Sequence, residues 1–114
     1  MIDWERVGDL RSEVGEADFA EVVELFLEEV QEVIWRLETT PEPARYEEDL
    51  HFLKGSALNL GFRAFSGLCQ DGEQGAAKGE TDRIDIAAVI ACYAGSKQQF
   101  LAGIAAGRAV EAAA

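Results

Sequence analysis

Hydrophobic residues recur at helical spacing through most of the chain, and the longest run follows Asp18. Apolar positions three or four residues apart continue there for roughly 20 residues, with glutamates at most of the positions between them. Asp18 and Glu21 match a capping box, which predicts that this amphipathic helix starts at Asp18. Its apolar side comprises Phe19, Val22, Val23, Phe26, Leu27, Val30, Val33, Ile34 and Leu37.

A short helix is predicted ahead of the long one, over residues 3–13. Gly15 separates the two helices, because glycine is unfavourable inside a helix. The apolar side of the short helix comprises Trp4, Val7, Leu10 and Val14.

Three further amphipathic helices are predicted after the segment TTPEPA. Thr40 with Pro41 marks the start of the third helix, since proline is favoured in the first turn, and Gly61 ends or kinks it. The fourth helix carries Phe62, Phe65, Leu68, Cys69, Gly72 and Ala76 along one side. After the turn KGETD, Thr81 or Asp82 caps the last helix. That helix carries Ile84, Ala87, Ala88, Ile90, Ala91, Ala94, Leu101 and Ile104.

These elements predict an all-α fold. Four amphipathic helices joined by short loops favour an antiparallel up-down four-helix bundle, with the short additional N-terminal helix at one end. No strand alternation and no repeat is present, so we expect one domain over residues 1–114. The tail, residues 107–114, extends the last helix or frays.

The charge of the chain narrows the choice of partners. A net charge of -12 repels DNA, RNA and acidic membrane surfaces, so a protein partner or a small ligand is expected. Cys69 and Cys92 lie in apolar helical patterns, without the clustered ligands of a zinc site, and are interpreted as small buried residues. With no signal segment and no apolar run of about 18 residues, we expect a cytoplasmic monomer that needs no metal and no cofactor.

The single histidine, His51, is predicted to point away from the core. On a wheel of about 100° per residue, it lies about 140° from the centre of the apolar side of its helix. That apolar side comprises Tyr46, Leu50, Leu53, Ala57 and Leu60. The alternatives for a lone histidine are a satisfied core residue, which the wheel disfavours, and a surface residue without a role.

The residues around His51 favour a functional role for this histidine over a surface position without one. Lys54, Gly55 and Leu58 share its outward face. Neutral imidazole is a good nucleophile near pH 7, because the ordinary pKa of histidine is about 6.5. A lysine can balance charge on phosphoryl oxygens, and a glycine leaves room for an approaching partner. Close helix packing, the alternative reason for Gly55, fits poorly with its outward position.

The segment HFLKGSALNLG resembles the H-x-x-K-G-[ST] signature of histidine-containing phosphotransfer (HPt) domains. The segments IDWERVGDL, DFAEVVELF and LCQDGE are also similar to that family, and together the resemblance covers roughly residues 2–100. It implies a four-helix bundle whose histidine exchanges a phosphoryl group with an aspartate of a response-regulator receiver domain. His51 matches the phosphorylated residue, Lys54 the charge-balancing lysine and Gly55 the clearance glycine.

The resemblance also implies roles for two residues near the histidine, Glu73 and Gln70. A glutamate at the position of Glu73 hydrogen-bonds the ring in related chemotaxis kinases, and Gln70 takes a flanking position one turn earlier. The alternative for Glu73 is a solvated surface carboxylate. Leu50 departs from the family pattern, in which a small residue precedes the histidine, and this puts the local packing in question. We assign Ser56, Leu58, Glu47 and Glu48 to the partner-binding surface.

Two functions from different classes fit these residues. In the first, the protein is a phosphorelay carrier and not an enzyme, since no Gly-rich phosphate loop is present and a separate histidine kinase or hybrid kinase must supply the phosphoryl group. In the second, the bundle is a non-catalytic module that docks a receiver domain or a kinase. A thiol- or metal-based enzyme is a third alternative. The sequence leaves the cognate partners, the pathway, the direction of flow and the immediate phosphoryl donor open.

Overall fold

The structure, a computed structural model, describes residues 1–107 of the 114-residue chain. Its helices are α1 (Trp4–Val14), α2 (Glu16–Thr39), α3 (Tyr46–Leu60), α4 (Arg63–Ala77) and α5 (Ile86–Ala105), with 3₁₀ turns at Pro43–Arg45 and Thr81–Arg83. This confirms the all-α class and the short helix ahead of four longer ones. The up-down order and the single domain stay predictions. The predicted tail lies, apart from Gly107, outside the described residues.

Helix α2 starts at Glu16, so the predicted start at Asp18 is wrong. Gly15 has a φ of 90°, and its N–H donates to the carbonyl of Arg11 at the end of α1. Because glycine tolerates positive φ, Gly15 can serve both as the residue that ends α1 and as the residue that precedes α2. Asp18 lies inside the first turn, where its charge still complements the helix N-terminus.

The third helix also starts later than predicted. Thr40 ends α2, and Glu42 is extended with φ -125° and ψ 95°. A residue that precedes proline disfavours the helical region, so the chain enters a 3₁₀ turn only at Pro43 and α3 begins at Tyr46. Pro41 is therefore not in the first turn of α3.

Helix α5 is capped by Asp85, not by Thr81 or Asp82. The Asp85 side chain accepts a hydrogen bond from the backbone N–H of Ala88 at 3.0 Å, as an N-cap aspartate does. Ile84 is extended, with ψ 121°, and precedes the helix. Ile84 nevertheless packs against the core, which explains why it fits the apolar pattern.

Gly61 ends α3 as predicted, in a left-handed conformation with φ 76°. The N-terminal segment fixes this turn, because the Asp3 N–H donates to the Gly61 carbonyl at 2.7 Å. A Cβ at Gly61 would lie 2.6 Å from the Asp3 carbonyl oxygen, so both the φ and the space demand glycine. The turn between α3 and α4 is thereby attached to the start of α1.

An ion pair fixes the first half of α3 against α2. The Arg36 guanidinium donates two hydrogen bonds to the Asp49 carboxylate, at 2.8 and 3.0 Å. Asp49 is buried and Arg36 is partly buried. A buried carboxylate without a partner would destabilise the fold far more than one that is paired with an arginine. Asp49 lies two residues before His51, so this pair helps to set the orientation of that part of α3.

Helices α3 and α4 meet where Leu50 packs over Gly72. Leu50 is completely buried, and a Cβ built at Gly72 would lie 2.8 Å from its Cδ1 atom. The absent side chain on α4 therefore makes room for the large one on α3. The large side chain at Leu50 thus fits the core because position 72 carries none.

We predict that the effect of Gly72→Ala on stability changes sign with the residue at position 50. Next to Leu50, the added methyl overpacks the core and should lower the free energy of unfolding by about 1 kcal/mol or more. In a Leu50→Ala background this contact is absent. Gly72→Ala should then raise the free energy of unfolding by about 1 kcal/mol, because alanine has the higher helix propensity. Denaturant unfolding of the four proteins measures both effects. Equal effects in the two backgrounds would show that Leu50 does not fill the space at Gly72.

Candidate functional site

His51 projects from α3 into solvent. Its side chain is 69% exposed, whereas Leu50, Leu53 and Ala57 on the same helix are completely buried. The outward position follows from the helical period, since these apolar residues face the core and His51 lies on the other side. The predicted orientation of the ring is confirmed.

Glu73 on α4 lies 2.7 Å from the His51 ring, between its Oε2 atom and Nδ1. A carboxylate accepts hydrogen bonds, so Nδ1 carries the proton and donates to Glu73. In the neutral ring, Nε2 then holds the free lone pair. The contact predicted between these residues is present, and Glu73 is not a solvated surface carboxylate, since its side chain is 19% exposed.

Lys54 contacts the other oxygen of the same carboxylate. Its Nζ lies 2.8 Å from Glu73 Oε1 and forms an ion pair with it. The Lys54 ammonium and, to a smaller extent, the His51 ring lower the pKa of Glu73 against the partial burial that raises it. Glu73 is therefore ionised near neutral pH and stays an acceptor for the ring.

Gly55 lies on the exposed side of α3, where a Cβ would meet no atom within 4 Å apart from the adjacent residues and the backbone of its own helix. Close packing thus does not require this glycine. Leu58, one turn along, is 58% exposed, and Phe52 beside the histidine is 37% exposed. His51 is thus bordered by open space at Gly55 and by two accessible apolar side chains.

The other predicted site residues differ in position. Glu47 and Glu48 are exposed in the first turn of α3, one turn before the histidine. Gln70 is exposed on α4, but its side chain forms no hydrogen bond to the described residues, so the structure does not bring it into the His51 contact. Ser56 is only 6% exposed. Its assignment to the partner-binding surface is wrong, because Ser56 falls on the core side of α3.

Sequence reasoning missed Asn59 and Phe52. The Asn59 amide donates to the Gly55 carbonyl at 3.2 Å, and its Oδ1 accepts from Arg6 of α1 at 3.3 Å. Only the packing of α1 on α3 reveals that link, whereas the wheel alone could have placed Phe52 on the outward side. Arg63, at the start of α4, pairs with Asp3 of the N-terminal segment at 3.0 Å.

A family model described as the Hpt domain matches residues 21–99. This span contains α3, α4 and the His51–Glu73 contact. The chain therefore belongs to the Hpt domain family, whose members carry phosphoryl groups on histidine in two-component phosphorelays and are phosphocarriers rather than kinases. No curated protein and no solved structure matches the chain.

Within residues 1–107, no group of three or more histidine, cysteine, aspartate or glutamate side chains is arranged to hold a metal ion. None of the helices in this range combines the length and the apolar character that a membrane-spanning segment needs. Cys69 is buried and Cys92 partly buried, both as free thiols, and burial raises the pKa of Cys69 to about 12.

We predict that removing Glu73 changes the tautomer of His51. In the neutral ring of the native protein, Nδ1 should carry the proton, whereas in Glu73→Ala a larger share of that proton should move to Nε2. Nitrogen-15 NMR measures this without ambiguity, because the chain has one histidine. Gln74→Ala, at the exposed neighbouring position, is the control and should leave the ring signals unchanged. Identical spectra for all three proteins would contradict the assignment of Glu73.

Proposed function

We propose that this protein is a phosphorelay carrier in which His51 accepts a phosphoryl group and passes it to, or takes it from, an aspartate of a response-regulator receiver domain. The observation that carries the proposal is the exposed ring with Nδ1 held by Glu73 at 2.7 Å. Such a ring offers one nucleophilic nitrogen to an incoming partner and keeps the other occupied. A histidine kinase or a hybrid kinase is the ultimate source of the group.

The transfer step follows from this tautomer. Nε2 of neutral His51 attacks the phosphorus of the aspartyl phosphate, so that the N–P bond forms as the P–O bond to the aspartate breaks. The aspartate leaves as a carboxylate, and Nδ1 keeps its proton. The phosphorylated ring then carries a positive charge, which the adjacent Glu73 carboxylate offsets. The reverse step returns the group to an aspartate.

Lys54 has two roles in this proposal. Through its ion pair it keeps Glu73 ionised and in place. Its side chain is also 24% exposed, so the ammonium can reach toward phosphoryl oxygens at the protein surface and balance their charge during transfer.

The receiver domain is proposed to dock over the outward side of α3. Gly55 leaves space for the loop that carries the aspartate, and Leu58 supplies apolar contact area. Glu47 and Glu48 lie at the edge of this surface. Because both the receiver site and this chain are acidic, the local cation at Lys54 matters more for docking than the net charge does.

We predict that only protein with His51 is labelled by phosphorylated receiver domains. A panel of such domains should transfer an acid-labile, base-stable phosphoryl group to the native protein, whereas His51→Gln should stay unlabelled while still binding the same receiver. A non-catalytic docking module would retain its full effect with glutamine at this position. If no receiver labels the folded native protein, or if His51→Gln is labelled equally, the proposal is wrong.

We predict opposite effects of Gly55→Ala on stability and on transfer. Alanine is the better helix former, so the free energy of unfolding should rise by about 1 kcal/mol. The added methyl stands where the partner approaches, so the rate of transfer from a receiver should fall roughly 10- to 100-fold.

Gly95→Ala is the matched control for this variant. Gly95 also lies exposed within a helix, and a Cβ there meets no atom within 4 Å. It should stabilise the protein to a similar extent and transfer at the native rate. A native transfer rate in Gly55→Ala would remove clearance as the reason for that glycine.

A further inference from the structure

An apolar groove with a volume of about 800 Å³ runs between α2 and the second half of α5. Its apolar side chains are Phe19, Val23, Leu27, Phe100, Leu101 and Ile104, with Trp35 at one end. Trp35 is 60% exposed and Leu101 is 44% exposed. Large apolar side chains that line a concave surface are typical of a binding site rather than of scattered surface residues.

The groove is separate from the phosphotransfer site. It is lined by residues of α2 and α5, whereas the His51–Glu73 contact lies on α3 and α4. Binding in the groove would therefore leave the ring accessible, and the inference below goes beyond the proposed function and does not depend on it.

Three glutamates form one rim of the groove. Glu24, Glu28 and Glu32 follow one another at four-residue spacing along α2, so they lie on the same side of the helix in successive turns. Within residues 1–107, none of the three forms an ion pair. Lys97 is the one basic residue among the described residues that line the groove. The groove thus combines an apolar floor with a row of unneutralised carboxylates.

We propose that this groove binds an amphipathic helix of a partner protein that has an apolar face bordered by a row of lysines or arginines. The apolar face would cover the floor and Trp35, and the basic row would pair with the glutamate rim. Helices bind grooves in this way through apolar residues spaced three and four apart. From Phe19 to Trp35 the groove follows α2 for about 24 Å, at about 1.5 Å per residue, which suits a helix of four to five turns.

Charge argues against a second copy of this chain as the occupant. The chain carries a net charge of -12, so two copies repel each other at long range. Of the two arginines on α1, Arg6 pairs with Glu13 and Arg11 with Glu16, so α1 offers no free basic row. A basic helix from another protein meets both the apolar and the electrostatic demands of the groove.

The test uses a synthetic 18-residue amphipathic peptide with leucines on one face and lysines spaced four residues apart along its border. A second peptide has glutamate at every lysine. Binding is followed by calorimetry and by tryptophan fluorescence. The lysine peptide should shift the emission to shorter wavelength as Trp35 becomes buried, Trp35→Phe should lose most of this shift, and the glutamate peptide should not bind.

Variants of the protein separate rim-specific binding from general attraction between opposite charges. Glu24→Gln, Glu28→Gln and Glu32→Gln together should weaken binding about tenfold. Three equivalent changes outside the groove, Glu5→Gln, Asp9→Asn and Asp82→Asn, should change it less than about twofold. Leu101→Ser should also weaken binding, while His51→Gln should bind as the native protein does.

Three results would overturn the inference. Equal weakening by the two triple variants would mean that the peptide responds only to net charge. Equal affinity for the glutamate peptide would mean that the rim does not select its partner. Concentration-dependent dimerisation of the native protein that is lost in Leu101→Ser would mean that a second copy occupies the groove.

Discussion

Helices α3 and α4 pack with Leu50 directly over Gly72. The residue after Leu50 and the residue after Gly72 both belong to the histidine site. His51 comes after Leu50, and Glu73 comes after Gly72. The Leu50 side chain fits against α4 because Gly72 has no side chain. This contact sets the distance between the two helices at the point where the His51–Glu73 hydrogen bond forms. Core packing and site chemistry are thus coupled through neighbouring residues.

The site depends on one carboxylate with two partners. Glu73 contacts the histidine through one oxygen and Lys54 through the other, and the lysine contributes most to its lowered pKa. An acceptor that stays ionised fixes the proton on Nδ1. Lys54, the lysine of the H-x-x-K-G motif, therefore influences the His51 ring indirectly, because it keeps the Glu73 carboxylate on α4 ionised. This role is additional to the charge-balancing role expected from the motif.

The sequence predicted the features that follow from helical period, and it missed those that depend on contacts between helices. The wheel placed His51 and Gly55 outward and Leu50 in the core, because one period governs a whole helix. The resemblance to the phosphotransfer domains of chemotaxis kinases, and not the helical period, implied Glu73 as the partner of the ring. Ser56 was misplaced because the motif, and not the wheel, assigned it to the partner surface. Its burial follows from the same period that buries Ala57.

Helix starts were predicted least well, since local signals compete there. Asp18, Pro41 and Asp82 each matched a start signal, but the conformation of Gly15, the pair of prolines and the cap at Asp85 decided the boundaries. The Arg36–Asp49 pair, the Asn59 link to α1 and the groove beside α2 had no local signal. Each joins residues from different helices, so it emerges only once the helices are packed.

We propose that Glu73, by holding Nδ1, leaves Nε2 as the nucleophilic nitrogen of His51. The most direct test of this proposal is the position of the phosphoryl group on the ring, read by phosphorus-31 and nitrogen-15 NMR after transfer from a phosphorylated receiver domain. We expect a single product, phosphorylated at Nε2 with the proton retained on Nδ1. A product phosphorylated at Nδ1, or a mixture of the two, would contradict it.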